Sequence, residues 1–108
     1  MYYDFIGLNY NNPVFQDKAV RKAMIQGINR RSILSKYLLG NAVVTDVPIN
    51  PISWLNDGEN LMYGYSRSEA ENLLKTAGFA DSNNDGVLDR EVGGIKQELK
   101  FTLLTNNE

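Results

Sequence analysis

The chain contains no cysteine and no histidine. Without cysteine there is no disulfide, no thiolate nucleophile and no zinc–thiolate site. Without histidine the commonest general base and the commonest transition-metal ligand are missing. Hydrolases of the Ser-His-Asp or Cys-His type are excluded within these residues. Serine, threonine, lysine and carboxylates remain, but no spacing assembles a nucleophile with a base, so an enzyme is not expected. An excess of one charge is also lacking. Eleven Lys and Arg face thirteen Asp and Glu, and the pI is near 5.1. Apart from Arg30-Arg31 the basic residues are scattered, which gives no footprint for nucleic acid. No apolar run approaches the roughly eighteen residues that cross a bilayer.

What is present fits a folded domain. The 108 residues are 43% hydrophobic and 22% charged, enough for a modest core and too apolar for disorder. The densest pattern runs from Phe15 to Leu34, FQDKAVRKAMIQGINRRSIL. Asp17 is placed to cap a helix. Val20, Ala23, Met24, Gly27 and Ile28 recur three and four apart and line one face, with basic residues along its outer side. Gly27 lets another element approach closely, at a cost of about 1 kcal/mol in helix propensity. Asn29 is placed to cap a second helix with Ile33, Leu34, Tyr37 and Leu38 on its buried side and Gly40 as its stop.

Both ends read as strands. Residues 2–10, YYDFIGLNY, are aromatic and aliphatic on both faces. Leu99, Phe101 and Leu103 alternate with Lys100 and Thr102, so 98–105 is expected to be another strand. Strands so near both ends lead us to expect a segment of something longer. Ala42 to Pro48 leans towards β structure until Pro48, Asn50 and Pro51 break it. Residues 48–65 read as a long irregular connection holding Trp54, Tyr63 and Tyr65. Ser66-Arg67-Ser68-Glu69 spells a capping box for a third helix through Ala70, Leu73, Leu74 and Ala77, ending at Gly78. The expected class is α/β, a small mixed sheet with about three helices, ordered β-α-α-(β)-α-β.

The sharpest local chemistry is Asp81 to Val92, DSNNDGVLDREV. Asp81, Asn83 and Asp85 hold positions one, three and five of a calcium loop, with Gly86 at six. Val87 offers its carbonyl at seven and Asp89 sits at nine. Position twelve should be a bidentate glutamate and is Val92; Glu91 stands one place early. Two readings stay open: a Ca²⁺ site, or an Asx-rich turn whose side chains cap their own backbone while Gly86 takes positive φ.

Taken in order, these motifs resemble family 5 of the extracellular solute-binding proteins, the oligopeptide, dipeptide and nickel class. Its phrase P-F-x-D-x-x-V-R-x-A-[IL]-x-x-A-I-D-R is matched by Pro13, Phe15, Asp17, Val20, Arg21, Ala23, Ile28 and Arg30. Phe15 lies one residue farther from Pro13 than in the commonest form, Ile25 adds an apolar residue beside Met24, Gly27 replaces an alanine and Asn29 an aspartate. The family's proline-rich loop with a tryptophan is matched by Val47 to Pro51 and Trp54. Its A-x-x-L-L-x-x-A-G-[FY] phrase is matched by Ala70, Leu73, Leu74, Ala77, Gly78 and Phe79. The acidic turn and the strand Leu99-Phe101-Leu103 follow in order.

The resemblance implies a clamshell of the type II periplasmic-binding-protein kind that closes on its ligand by hinge motion and hands it to an ABC-transporter permease. It implies that residues 1–108 are one segment of the second lobe, and that the parent is periplasmic or a cell-surface lipoprotein carrying an oligopeptide or another small solute. The gripping residues of the family lie mostly elsewhere in its chain. The segment alone is then expected to bind no solute, and to expose apolar surface and self-associate. Asn9, Tyr10 and Trp54 are the candidate ligand contacts. Trp54 either walls a cleft or covers core beneath its loop; Asn9 and Tyr10 either donate into a cleft or satisfy local backbone. Arg21 and Arg30 can fork a carboxylate or pair with helix carboxylates and carbonyls. The alternative from another class is a dockerin-like, calcium-dependent adhesion module, which requires a second loop that this sequence does not show.

Overall fold

The computed structural model describes residues 2–56 and 63–106. Its first helical turn is capped by Asn12, whose side chain accepts from the Val14 amide at 3.1 Å. Pro13 then opens a single 3₁₀ turn, Pro13–Gln16, where its missing N–H costs nothing. That turn drives Val14 and Phe15 into the interior. Asp17 ends it and caps the next helix, α1 (Lys18–Gly27), by accepting from the Ala19 amide at 2.8 Å. Asn29 caps α2 (Arg30–Tyr37) through the Ser32 amide at 3.0 Å.

Helix α3 (Arg67–Thr76) packs on α1. The contact is made by small residues: Ala23 and Ala70 are buried, and a Cβ on Gly27 would lie 3.9 Å from that of Ala70. The capping box is only half formed. Ser66 Oγ accepts from the Glu69 amide, but Glu69 does not return to Ser66. Gln26, at the end of α1, takes both partners instead. Its carbonyl accepts from the Ser66 amide at 2.9 Å and its side-chain amide donates to Glu69 at 2.6 Å. The start of α3 is thereby stitched to the end of α1.

Val14, Phe15, Val20 and Phe79 form the core, with Leu8, Met24, Leu74, Ala77, Leu88 and Leu99 packed around it. Val20 is fully buried. The 3₁₀ turn and the end of α3 each deliver one of the two core phenylalanines, Phe15 and Phe79.

The strands fall elsewhere than the alternation predicts. Among the described residues the sheet is one antiparallel hairpin, β1 (Asp89–Val92) and β2 (Ile95–Glu98), with Val92 opposite Ile95. Gly93 and Gly94 make its two-residue turn at φ 60° and 79°, the left-handed geometry that suits tight hairpins. Val92-Gly93-Gly94-Ile95 is the sequence signal for this hairpin, two apolar β-branched residues flanking a Gly-Gly pair. Residues 2–10 and 99–105 form no strand, and Ala42 to Pro48 form bends and irregular chain. An extended run needs a partner strand, and none of the described residues supplies one to these three. The class stays α/β with three α-helices, but the order is α-α-α-β-β. Of the irregular connection 48–65, residues 57–62 lie outside the described residues.

Helix α2 departs in packing. Ile33, Tyr37 and Leu38, expected inside, are exposed, and Leu34 is half-buried. Nothing among the described elements covers that face. The helix ends in a left-handed Leu39 (φ 51°), one residue before the expected Gly40 (φ 79°). A branched side chain is strained there, at about 1 kcal/mol. Leu39 is 80% exposed, so little packing offsets the strain. Leu39→Gly is expected to raise stability by about 0.5–1 kcal/mol despite the added unfolded-state entropy; urea unfolding reads the sign.

Candidate functional site

A groove of about 580 Å³ runs between the N-terminal run and the outer face of α1. Its apolar lining comes from Ile6 and Leu8 on one side and Met24, Ile25, Ile28 and Ile33 on the other. Lys18, Arg21 and Lys22 stand along the α1 side. Arg30, Asp46 and Tyr63 close one end. Arg30 forks between the Asp46 carboxylate, the Thr45 carbonyl at 3.2 Å and the Tyr63 carbonyl at 2.7 Å. The other Asp46 oxygen accepts from the Tyr63 amide at 3.0 Å. Asp46 is nearly buried, so this clamp fixes the two arms of the long loop against the start of α2. The Lys22 ammonium lies 5.6 Å from the Tyr63 ring centre.

The candidate ligand contacts do not meet. Asn9 spends its side-chain oxygen on the Asn11 amide at 3.0 Å, and its carbonyl accepts from Asn12. Tyr10 lies under the Arg21 guanidinium, 5.1 Å from ring centre to cation. Trp54 is 90% exposed. None of the three lines the groove. Trp54 therefore does not cover core, because its loop stands away from it. Arg21 donates to the Phe15 and Gln16 carbonyls, both at 2.9 Å, capping the 3₁₀ turn.

The acidic loop turns its oxygens on itself. Asp81 accepts from the amides of Asp85 and Gly86, at 3.1 and 3.0 Å. Asp85 accepts from Val87 N–H at 2.8 Å and from Asn83 at 2.9 Å, and these bonds hold its carboxyl below the usual range. Asp89 is buried and receives the Ser82 hydroxyl at 2.7 Å and the Ser82 amide. The Ser82 hydroxyl is the main cause of its lowered pKa. Gly86 adopts φ 84° as an Asx turn requires. Among the described residues no three acidic, His or Cys side chains converge on a point. Because amides and a hydroxyl already occupy these oxygens, millimolar Ca²⁺ is expected to move the melting temperature by less than about 1 °C. A rise of several degrees that a chelator reverses would make the loop a cation site.

The residue that sequence reasoning missed is Arg90. From β1 it donates to Asp17 at 2.7 Å, to the Ala77 carbonyl at 3.0 Å and to Gln97 at 2.8 Å. Its guanidinium lies 4.3 Å over the Phe79 ring. The hydrogen bond from Arg90 is the main reason that the Asp17 carboxyl sits below its ordinary value of 3.8. A depressed carboxyl stabilises the fold fully above its unfolded pKa, and that contribution disappears as pH falls through the folded value. The protein is therefore expected to lose stability below about pH 4. Asp17→Asn should flatten part of that slope; an unchanged slope in thermal melts from pH 6 to pH 2 would remove Asp17 as its source.

A profile of the bacterial extracellular solute-binding proteins, family 5, middle region, matches residues 1–108. The chain belongs to this family. The oligopeptide-binding protein AppA of Bacillus subtilis (strain 168) is 37% identical over 106 residues, covering 96% of this chain and 19% of AppA. The structure of B. subtilis AppA in complex with a nonapeptide superposes with a TM-score of 0.72 at 36% identity, over 83% of this chain and 18% of that one. The oligopeptide-binding protein of Thermus thermophilus, complexed with a pentapeptide, gives 0.72 at 26% identity, over 82% and 14%. The chain thus spans about a fifth of the length of the curated family member it matches. Its fold is a portion of the type II solute-binding architecture, and these relatives are oligopeptide-binding proteins.

Proposed function

We propose that these residues are a structural portion of the second lobe of an extracytoplasmic solute-binding protein, which captures oligopeptides and delivers them to the permease of an ABC importer. The observation that carries this reading is the family match over residues 1–108, joined to a shared fold with two proteins described as holding a nonapeptide and a pentapeptide. The physical state of the segment supports it. Tyr2, Phe5, Ile52, Trp54, Leu103 and Leu104 are all more than two-thirds exposed, too much apolar surface for a self-sufficient domain of this size. A frame packed by small helix contacts and two arginine clamps, whose polar groups among the described residues are spent on one another, suits a scaffold better than a complete receptor.

The test is calorimetric titration of peptides of five to nine residues into the full-length protein and into the 108-residue chain. Binding by the first and not by the second is the expected result. Micromolar binding by the short chain alone, or no peptide bound by the full-length protein, would overturn the reading. Sedimentation of the short chain should show self-association, and a clean monomer would count against its being a lobe segment.

A further inference from the structure

The loop between α3 and β1 holds the one Asp-Gly junction among the described residues, Asp85-Gly86, with Asn84 just before it. Such a junction is chemically fragile. Glycine has no Cβ, so its backbone nitrogen can reach the side-chain carbonyl carbon of the residue before it. The attack forms an N–C bond and closes a five-membered imide. The carboxyl oxygen leaves as water, taking the amide proton and the acid proton with it. A second water then cleaves the imide at either carbonyl. Opening at the backbone carbonyl leaves the chain running through the side chain, as isoaspartate. At asparagine the same attack expels ammonia. Residues 82–86 are exposed, so solvent supplies the water.

Both attacking nitrogens are tied to one carboxylate. Asp81 accepts from the Asp85 amide, the nucleophile for Asn84, at 3.1 Å. It also accepts from the Gly86 amide, the nucleophile for Asp85, at 3.0 Å. The target carbon is held as well. The Asp85 oxygens accept from Val87 N–H at 2.8 Å and from the Asn83 amide group at 2.9 Å. Those bonds favour the ionised carboxylate, a poorer electrophile than the acid. The neighbouring Asp81-Ser82 junction is covered in the same way, because the Ser82 amide is donated to Asp89 at 3.3 Å. Breaking one hydrogen bond to an ionised acceptor before attack slows the reaction about tenfold or more.

We infer that Asp81 is a guard residue and that Asp85 is a modification site, converted to isoaspartate when the Asp81 bonds open, with Asn84 as the lesser site. The modification inserts a carbon into the main chain just before the turn at Gly86 (φ 84°). It lengthens the path from α3 to Arg90, whose fork needs β1 in its present place. The inference stands apart from the peptide-binding reading.

Storage of the full-length protein in warm neutral buffer tests it, with isoaspartate read by methyltransferase labelling and located by peptide mapping. The folded loop should form isoaspartate about tenfold or more slower than the same residues in a free peptide. Asp81→Ala should bring the rate close to that of the peptide. Asp81→Ser, with one oxygen for two amides, should fall between. Glu91→Ala, on β1, should change nothing. Hydrogen exchange of the Gly86 amide in the unaltered protein reads the guarding bond without any variant, and it should be slow. A folded loop that isomerises as fast as the peptide overturns the proposal. So does an Asp81→Ala protein, folded by its melting curve, that isomerises as slowly as the original, or a Gly86 amide that exchanges at the unstructured rate.

Discussion

Arg90→Met is expected to destabilise the fold by about 3 kcal/mol, among the largest effects of any surface-accessible position in the chain. The side chain is 13% exposed and its partner Asp17 27% exposed, so the ion pair is neither a screened surface contact nor a fully desolvated one. Its value comes from what it joins. One guanidinium ties the cap of α1, the last carbonyls of α3 and the facing strand β2 to β1. Methionine keeps the apolar stem but leaves Asp17 and the Ala77 carbonyl without that donor. Lysine keeps the charge yet has no planar fork, so Arg90→Lys should recover less than half of the loss. For a chain of this size 3 kcal/mol lowers the melting temperature by on the order of 15 °C. A loss below about 0.5 kcal/mol would show that the knot forms without holding the elements together. The acid sensitivity assigned to Asp17 should vanish in the same variant, since Arg90 is its main cause.

The helices were legible because their signals are local. Asp17 and Asn29 cap where a short polar side chain precedes an apolar period, and Gly78, at φ 92°, stops α3. Val20, Ala23 and Ala70 were readable as interior from their helical spacing, whereas the burial of Phe79 was not. The strands were not legible, because alternation reports a face that wants covering and does not name its cover. Residues 2–10, apolar on both faces, and 99–105, which alternate, form no strand here. The exposed side of α2 fails for the same reason. Arg90 was invisible since its partners lie 73, 13 and 7 residues away, and no spacing encodes such a convergence. The groove was half legible: the basic edge of α1 stands in its sequence, but the wall opposite depends on where the N-terminal run is laid.

Phe79→Ala is expected to cost about 4 kcal/mol, close to the whole stability of a small domain. The ring is 3% exposed and joins Val14, Phe15 and Val20 in the core, with Leu74 packed against it. Its backbone amide also closes the end of α3 on the Leu74 carbonyl at 3.0 Å, so the ring is delivered by a fixed turn and cannot be replaced by a neighbour sliding in. Alanine leaves a void that the 3₁₀ turn cannot fill, because Phe15 is already held against Phe101, with ring centres 5.5 Å apart. Phe79→Leu should lose only about 1.5 kcal/mol, retaining most of the volume but not the aromatic face under Arg90. That difference makes the coupling measurable. In a double-mutant cycle of Arg90→Met with Phe79→Leu, a coupling of about 0.5–1 kcal/mol is expected from the guanidinium over the ring. Strict additivity would reduce the 4.3 Å stacking to mere proximity and leave Asp17, Ala77 and Gln97 as the partners through which Arg90 acts.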